Sequence, residues 1–120
     1  MVGTILFVDD EPDLRFMAAS YFEMSGYKIL TAENAEDALR QSRDVALGTV
    51  ILDVNLPGEG SAQLLAALKQ SHPQTPVILY TGRLEDDDVV RALLNQGADR
   101  YLLKDGSLEK VLQAVQAASA

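Results

Sequence analysis

Carboxylates follow two apolar runs of this sequence. Asp9 and Asp10 come directly after the run at residues 5–8, and Asp53 comes directly after the run at residues 50–52. Two carboxylates 4 Å apart repel by about 4 kcal/mol at an effective dielectric of 20, so a cluster of them needs a compensating cation. Mg²⁺ prefers oxygen ligands of this kind, and Asp carboxylates can also act as nucleophiles that form aspartyl-phosphates.

A hydroxyl and an ammonium group follow two later apolar runs. Thr81 comes after residues 77–80, and Lys104 comes after residues 101–103. Thr81 could donate a hydrogen bond to a phosphoryl oxygen, and Lys104 could pair with another as a point charge. Phosphoryl transfer depends mainly on positioning and charge neutralisation, which these side chains would supply if folding brings them together.

Apolar runs alternate with helix-patterned stretches along the chain. The runs lie at residues 5–8, 29–30, 50–52, 77–80 and 101–103. This alternation predicts βαβ units and a parallel sheet, with right-handed crossovers that place helices on both faces. The second run carries Lys28 and Thr31, which favours an edge position. We therefore predict an α/β fold, a doubly wound (βα)5 flavodoxin-like three-layer sandwich with the parallel strand order 2-1-3-4-5.

Local signals predict the cores and the ends of the helices. Met17, Tyr21 and Phe22 repeat at helical spacing and are predicted to be core residues. Pro12 suits a first helical turn. The predicted left-handed helix ends are Gly26, Gly48 and Gly97. The predicted N-caps are Asn34, Ser61 and Ser107.

The predicted topology places the polar residues at one edge of the sheet. In open α/β sheets, ligands bind beyond the carboxyl ends of the strands, at the point where the strand order reverses. For this order the point lies between the first and third strands. Asp9, Asp10 and Asp53 would meet there with Thr81 and Lys104 beside them, which predicts a magnesium-dependent phosphoryl site.

Composition excludes several other kinds of function. The 120 residues suit one domain, and the chain has no Cys and one His, which excludes thiolate and multi-histidine metal sites. A net charge of −8 disfavours direct nucleic-acid binding. We see no signal peptide, and no apolar run approaches the roughly 20 residues that span a bilayer. We therefore expect a cytoplasmic domain without membrane attachment.

The sequence resembles the receiver domains of two-component response regulators. The motifs that carry the resemblance are FVDDEPD, VILDVNLPG, VILYTG and GADRYLLKD, in order and at the family's spacing over essentially the whole chain. The resemblance implies a single receiver domain at residues 1–120, with no output domain in this chain. It also implies a signalling switch that assists its own phosphorylation and dephosphorylation rather than an enzyme with a metabolite substrate.

The resemblance assigns roles to the acidic residues. Asp53 corresponds to the phosphoacceptor. Mg²⁺ would be held by Asp10, Asp53 and the backbone carbonyl of Asn55, with Asp9 acting through bound water. The phosphodonor would be a phosphohistidine on a sensor histidine kinase or a phosphotransfer protein.

The resemblance also implies how a signal would leave the site. Thr81 and Lys104 would contact the phosphoryl group, and Tyr101 would turn inward as Thr81 moves. The signalling surface would be the last two helices and the strand between them, at about residues 85–117. Its target, an output domain or another protein, is not identified by the sequence, and a phosphorylation-dependent homodimer is one possible outcome.

The chain departs from the family at Asp105, where Pro usually follows the Lys, often with a cis bond. A cis bond before a residue other than Pro costs about 2.5–4 kcal/mol, so a trans or rearranged loop is predicted. Asp105 could then cap the last helix alongside Ser107. A second departure is Gly48-Thr49 at the start of the third strand, where an acidic residue is common in the family.

Simpler interpretations of individual residues stay open. Asp9 and Asp10 could be a charge pair favoured by a helix dipole, and Asp53 and Thr81 could be turn residues. Lys104 could be a surface lysine, and Tyr101 a core or edge aromatic.

A second acidic cluster and two other functions are also compatible with parts of this sequence. The acidic run at residues 85–88 resembles a second metal site but is interpreted as an acidic first helical turn.

Two other functions are a degenerate receiver that acts as a constitutive binding module and a phosphatase with an Asp nucleophile. Failure to bind Mg²⁺ or accept phosphate would favour the first, and multiple turnover of phosphate esters the second.

Overall fold

Five strands and five helices alternate along the chain, in a computed structural model that describes residues 3–57 and 60–118. Gly58, at the end of the VILDVNLPG motif, lies outside the described residues. The elements are β1 (Thr4–Val8), α1 (Pro12–Met24), β2 (Ile29–Ala32), α2 (Ala35–Ser42), β3 (Leu47–Leu52), α3 (Gly60–Ser71), β4 (Val77–Thr81), α4 (Asp88–Gln96), β5 (Arg100–Leu103) and α5 (Leu108–Ala118).

The strands form one parallel sheet in the order β2-β1-β3-β4-β5. This confirms the predicted fold class, the strand order and the edge position of the second strand. The register pairs Val8 with Leu52 and Thr81 with Leu103. Asp9, Asp53 and Lys104, which follow Val8, Leu52 and Leu103, therefore emerge with Thr81 at the carboxyl edge of the sheet.

Alternate side chains of the central strands enter two separate cores. Ile5 and Phe7 of β1 pack with the helices α1 and α5, whereas Leu6 and Val8 pack with α2, α3 and α4. Fully burying one such side chain contributes about 1.5–3 kcal/mol. Because helices cover both faces, the sheet holds the loops at its carboxyl edge in fixed positions.

Helix α1 differs from its predicted core pattern at one residue. Ala18 and Phe22 are fully buried, but the prediction that Met17 is a core residue is wrong, because its side chain is 53% exposed. Residues four apart share a helix face, whereas neighbours in sequence point about 100° apart. Once Ala18 and Phe22 face the sheet, Met17 is turned toward the surface.

The helix ends follow most of the sequence signals. Asn34 Oδ1 accepts a hydrogen bond from Asp37 N at 2.8 Å, and Gly26 and Gly97 have φ of 90° and 127°. None of the five helices in the described part of the chain combines the length and the apolar character needed to cross a membrane.

Gly48 does not end a helix, contrary to prediction. It lies inside β3, where the strand begins at Leu47 and runs beside the start of β1. A Cβ atom on Gly48 would come within 2.8 Å of the Gly3 backbone nitrogen. Close backbone approach therefore explains this glycine, and Asp44 takes the positive φ of 60° after α2.

Candidate functional site

Three aspartates converge at the carboxyl edge of the sheet. Asp9 and Asp53 lie side by side, because Asp53 N donates to Val8 O at 2.9 Å across the two central strands. One carboxylate oxygen from each of Asp9, Asp10 and Asp53 lies within 4.8 Å of the others. Asp9 is 1% exposed and Asp53 is 3% exposed, whereas Asp10 is open to solvent. The structure thus brings together the three predicted carboxylates.

Lys104 reaches into this acidic cluster from the end of β5. Its Nζ lies 2.6 Å from Asp9 Oδ2, 3.3 Å from Glu11 Oε1 and 3.7 Å from Asp53 Oδ2. The ammonium also lies 5.8 Å from the centre of the Tyr80 ring. Lys104 therefore supplies a compensating positive charge, and Glu11 is a partner that the sequence analysis did not identify.

Burial and charge shift the ionisation of both central groups. Burial raises the pKa of Asp53, and the charges of Asp9 and Asp10 add to this rise, against the opposing effects of the Asn55 N–H and Lys104. Burial alone would lower the pKa of Lys104, but its pairing with Asp9 and the charge of Asp53 more than offset this, so its pKa is raised. The site therefore favours a charged lysine and penalises a charged Asp53.

Hydrogen bonds hold Asp53 on its side chain and its backbone. Asn55 N donates to Asp53 Oδ1 at 3.0 Å, which leaves Oδ2 on the side of Lys104. Ser61 Oγ donates to the Asp53 carbonyl at 2.7 Å and to the Val54 carbonyl at 2.9 Å. The predicted N-cap role of Ser61 is wrong, because Ser61 lies inside α3 and its hydroxyl bonds loop carbonyls rather than a helix N–H.

Local bonds also orient Asp9. Glu11 N donates to Asp9 Oδ1 at 2.9 Å, and Arg15 Nη1 donates to the Asp9 carbonyl at 2.9 Å. Asp9 Oδ2 is buried and, within residues 3–57 and 60–118, accepts no aligned hydrogen bond, although Lys104 forms an ion pair with it. That oxygen is thus directed at the interior of the cluster.

Arg83 connects Thr81 and Tyr101 to neighbouring loops. Arg83 N donates to Oγ1 of the fully buried Thr81 at 3.1 Å, and the Tyr101 hydroxyl donates to the Arg83 carbonyl. The Arg83 guanidinium donates to Asn55 Oδ1 at 2.7 Å and to Asp87 Oδ2 at 2.9 Å. Arg83 was not predicted as a site residue, and its one usable sequence signal is its position two residues beyond the end of β4.

The acidic run at residues 85–88 leads into α4. The predicted acidic first turn is confirmed only for Asp88, because α4 begins there and Glu85 and Asp86 lie in the turn before it. Asp87 is the N-cap, and its Oδ1 accepts from Val89 N at 2.8 Å. Burial acts to raise the pKa of Asp87, but its hydrogen bonds from Arg83 and from the helix backbone lower it overall. Among the described residues, the acidic group whose geometry suits a metal ion is Asp9, Asp10 and Asp53 rather than this run.

The loop after Lys104 takes part of its predicted form. The Lys104–Asp105 bond is trans. Ser107 Oγ accepts from Lys110 N at 3.3 Å, so Ser107 caps the start of α5 as predicted. Asp105 Oδ1 accepts from Ser107 N at 3.0 Å, and its Oδ2 accepts from Lys110 Nζ at 2.6 Å. The predicted cap by Asp105 is therefore wrong, because Asp105 bonds an N–H that precedes the helix. Lys104 N donates to the Thr81 carbonyl at 2.7 Å, which keeps Lys104 beside Thr81 without a proline.

The chain matches a known family over most of its length. Residues 5–116 match the family model of the response regulator receiver domain. The phosphate regulon transcriptional regulatory protein PhoB of Pseudomonas aeruginosa is 37% identical over 120 residues, which cover 98% of this chain and 52% of that protein. The transcriptional regulatory protein CpxR of Escherichia coli K12 is 35% identical over 116 residues, which cover 97% of this chain and 49% of that protein.

The chain thus spans about half the length of these curated relatives. Among solved structures, the BeF3-activated DrrB receiver domain has the same fold, with a TM-score of 0.84 and 30% sequence identity. The alignment covers 98% of this chain and 97% of that one. This chain belongs to the response regulator receiver domains of two-component systems.

Proposed function

We propose that this chain is a phosphorylation-dependent switch in which Asp53 accepts a phosphoryl group. The observation that carries the proposal is the placement of a buried Asp53 carboxylate between Asp9, Asp10 and Lys104. Asp53 Oδ1 is occupied by the Asn55 N–H, so Oδ2 is the oxygen available for reaction. Membership of the receiver family supports a signalling role rather than turnover of a metabolite.

The proposed transfer forms one bond and breaks one. Asp53 Oδ2 attacks the phosphorus of a phosphohistidine on a sensor histidine kinase or a phosphotransfer protein. The P–N bond breaks, its electron pair returns to the imidazole ring, and that ring takes up a proton. Hydrolysis of the resulting aspartyl-phosphate by water resets the switch. Lys104 supports both steps by pairing with phosphoryl oxygens.

The aspartates fit a hard divalent cation such as Mg²⁺. Asp10 and Asp53 would hold it with the Asn55 carbonyl, and Asp9 would act through bound water. The exposed Asp10 and the inward-facing Asp9 Oδ2 support this assignment, since both can reach an ion in the cluster. When bound, Mg²⁺ would neutralise carboxylate charge and polarise the phosphoryl oxygens.

We propose that the signal leaves the site through Thr81 and Tyr101. Thr81 Oγ1 accepts a hydrogen bond from Arg83 N. Turning this hydroxyl toward a phosphoryl oxygen would break that bond and allow Tyr101 to repack inward. The surface formed by α4, β5 and α5 would then change its packing against an output domain, a target protein or a second copy of the chain.

The domain would act in one compartment and through partner proteins. We propose that residues 1–120 act as one receiver domain located in the cytoplasm, where the kinase phosphohistidine would be met. Any DNA binding would be done by a linked or separate partner, since the net charge of −8 disfavours direct binding by this chain. No membrane attachment is proposed for it.

Labelling with acetyl phosphate tests the phosphoacceptor. With Mg²⁺ present, we expect the parent to gain one acid-stable, base-labile phosphoryl group and Asp53→Asn to gain none. Asp44→Asn is a matched control, because Asp44 is exposed, lies at the amino end of β3 and has a φ of 60° that Asn tolerates. Labelling of Asp53→Asn at the parent level would overturn the assignment of the site.

Two further outcomes would each contradict the proposed function. A parent chain that binds no Mg²⁺ and accepts no phosphate would be a constitutive binding module instead. A parent chain that hydrolyses many equivalents of a phosphate ester, with no stoichiometric acyl-phosphate, would be a phosphatase. Intact-mass spectrometry and phosphate release, measured on the same sample, separate these outcomes.

A further inference from the structure

Ser61 makes an unusual pair of contacts behind the phosphoacceptor. Its side chain is 5% exposed and lies in the first turn of α3. Its Oγ is 2.7 Å from the Asp53 carbonyl oxygen and 2.9 Å from the Val54 carbonyl oxygen. A hydroxyl carries one hydrogen, so this hydrogen is shared between two successive carbonyls of the loop that follows β3.

These contacts fix the backbone of Asp53 from the side opposite the sheet. The Asp53 N–H is bonded to the Val8 carbonyl of β1, while its own carbonyl is bonded to Ser61. Two peptide planes are therefore held, one on each side of the phosphoacceptor. The next carbonyl along the chain belongs to Asn55, whose N–H in turn holds Asp53 Oδ1 at 3.0 Å.

We propose that Ser61 is a positioning residue, which orients the segment 53–55 so that the Asp53 carboxylate and the Asn55 carbonyl can hold Mg²⁺ together. This inference rests on the proposed function, because it assigns the Asn55 carbonyl to the metal. Ser61 touches neither the ion nor the phosphoryl group. Outer groups that orient metal ligands typically change metal affinity 10–100-fold when they are removed.

A matched pair of variants separates positioning from stability. Ser61→Ala removes the bonds to the loop carbonyls. Thr75→Val removes a bond of the same kind at the opposite end of β3, where the buried Thr75 Oγ1 donates to the Leu47 carbonyl at 2.9 Å. Both variants delete one buried hydroxyl that bonds a backbone carbonyl, so both should lower the melting temperature by similar amounts.

Magnesium affinity is the first measurement. We expect calorimetric titration with Mg²⁺ to give a Kd about tenfold higher for Ser61→Ala than for the parent. Thr75→Val should stay within twofold of the parent. Ser61→Cys is a second variant in case Ser61→Ala does not fold, because its thiol is similar in shape and a weaker donor. It should also weaken Mg²⁺ binding, by less than the alanine variant does.

Amide hydrogen exchange in the metal-free protein is the second measurement. We expect faster exchange at residues 53–55 in Ser61→Ala than in the parent, and parent-like exchange at these residues in Thr75→Val. Parent-like Mg²⁺ affinity and parent-like exchange at these residues in both Ser61 variants would overturn the proposal. If the parent itself bound no Mg²⁺, the proposed function would fail, and the exchange data would still decide whether Ser61 orders this segment.

Discussion

The Lys104 ammonium lies 2.6 Å from Asp9 Oδ2, inside the cluster formed by the three aspartates. Lys104 is therefore the cation that offsets carboxylate repulsion in this structure. Mg²⁺ would act on the same negative charges. Lys104 and Mg²⁺ thus have overlapping electrostatic roles. Removing Lys104 should therefore change how strongly Mg²⁺ stabilises the protein.

Lys104→Met should destabilise the metal-free protein and increase its response to Mg²⁺. The substitution keeps a long apolar side chain but leaves the buried Asp9 without its ion pair, which should cost about 1–3 kcal/mol. Added Mg²⁺ can restore positive charge near Asp9, so it should raise the melting temperature of the variant by more than that of the parent. Thermal unfolding with and without saturating Mg²⁺ measures both effects.

Lys69→Met is the matched control for this prediction. Lys69 Nζ lies 2.9 Å from Asp99 Oδ2, a pair at the amino edge of the sheet and far from the aspartate cluster. Its loss should lower stability without changing the response to Mg²⁺. An equal Mg²⁺-induced rise in the parent and in both variants would contradict the overlapping roles of Lys104 and the metal.

Asp53→Asn should stabilise the metal-free protein near neutral pH. Burial raises the pKa of Asp53 above the value of 3.8 for an unperturbed Asp. An acid whose pKa is higher in the folded state lowers stability as the pH rises above its unfolded pKa, and the full cost is reached above its folded pKa. Asparagine carries no charge and removes that cost, so the variant should melt a few degrees higher at pH 7.

The stability difference between Asp53→Asn and the parent should depend on pH. The extra stability of Asp53→Asn over the parent should shrink as the pH falls through the folded pKa of Asp53. It should vanish below the unfolded pKa, because Asp53 is then protonated in both the folded and the unfolded state. Saturating Mg²⁺ at pH 7 should narrow the difference, because the ion stabilises a charged Asp53 only in the parent. A variant that is less stable than the metal-free parent at pH 7 would refute this account.

Thr49→Val should stabilise the protein by about 1 kcal/mol. Thr49 is fully buried in β3, and among the described residues its Oγ1 has no hydrogen-bond partner. Replacing the hydroxyl with a methyl group of similar size removes the cost of burying an unpaired polar atom. Urea unfolding measures the change in the free energy of unfolding, and Mg²⁺ affinity should stay unaltered. Thr75→Val should destabilise the protein instead, because the Thr75 hydroxyl is hydrogen-bonded.

The convergence of the site could be predicted because a parallel sheet aligns the ends of its strands. Asp9, Asp53, Thr81 and Lys104 each follow an apolar run, so the strand order alone predicts that they meet at one edge. Local sequence also predicted the trans bond between Lys104 and Asp105, because a cis bond without proline is costly. The geometry of these residues was thus implied by backbone topology.

Other features depend on details that sequence patterns do not contain. The bonds of Ser61 to two carbonyls depend on the path of the loop after β3, and those of Arg83 depend on how two loops face each other. Met17 was misassigned because helical spacing identifies a face only to within one residue position. Gly48 was misassigned because the close approach of β1 and β3 is a contact between distant parts of the chain.

Arg83→Ala should weaken the transmission of phosphorylation to α4 while leaving phosphorylation itself possible. The Arg83 guanidinium bridges Asn55, beside the phosphoacceptor, and Asp87, the N-cap of α4. Asp87 Oδ1 still accepts from Val89 N without Arg83, so α4 should stay capped. In amide NMR spectra, Mg²⁺ with beryllofluoride should then shift the resonances of α4 less in the variant than in the parent, whereas those of residues 53–55 should shift in both. Arg91→Ala, an exposed arginine within α4, should behave like the parent, and equal α4 shifts in all three proteins would show that the signal reaches the helix without Arg83.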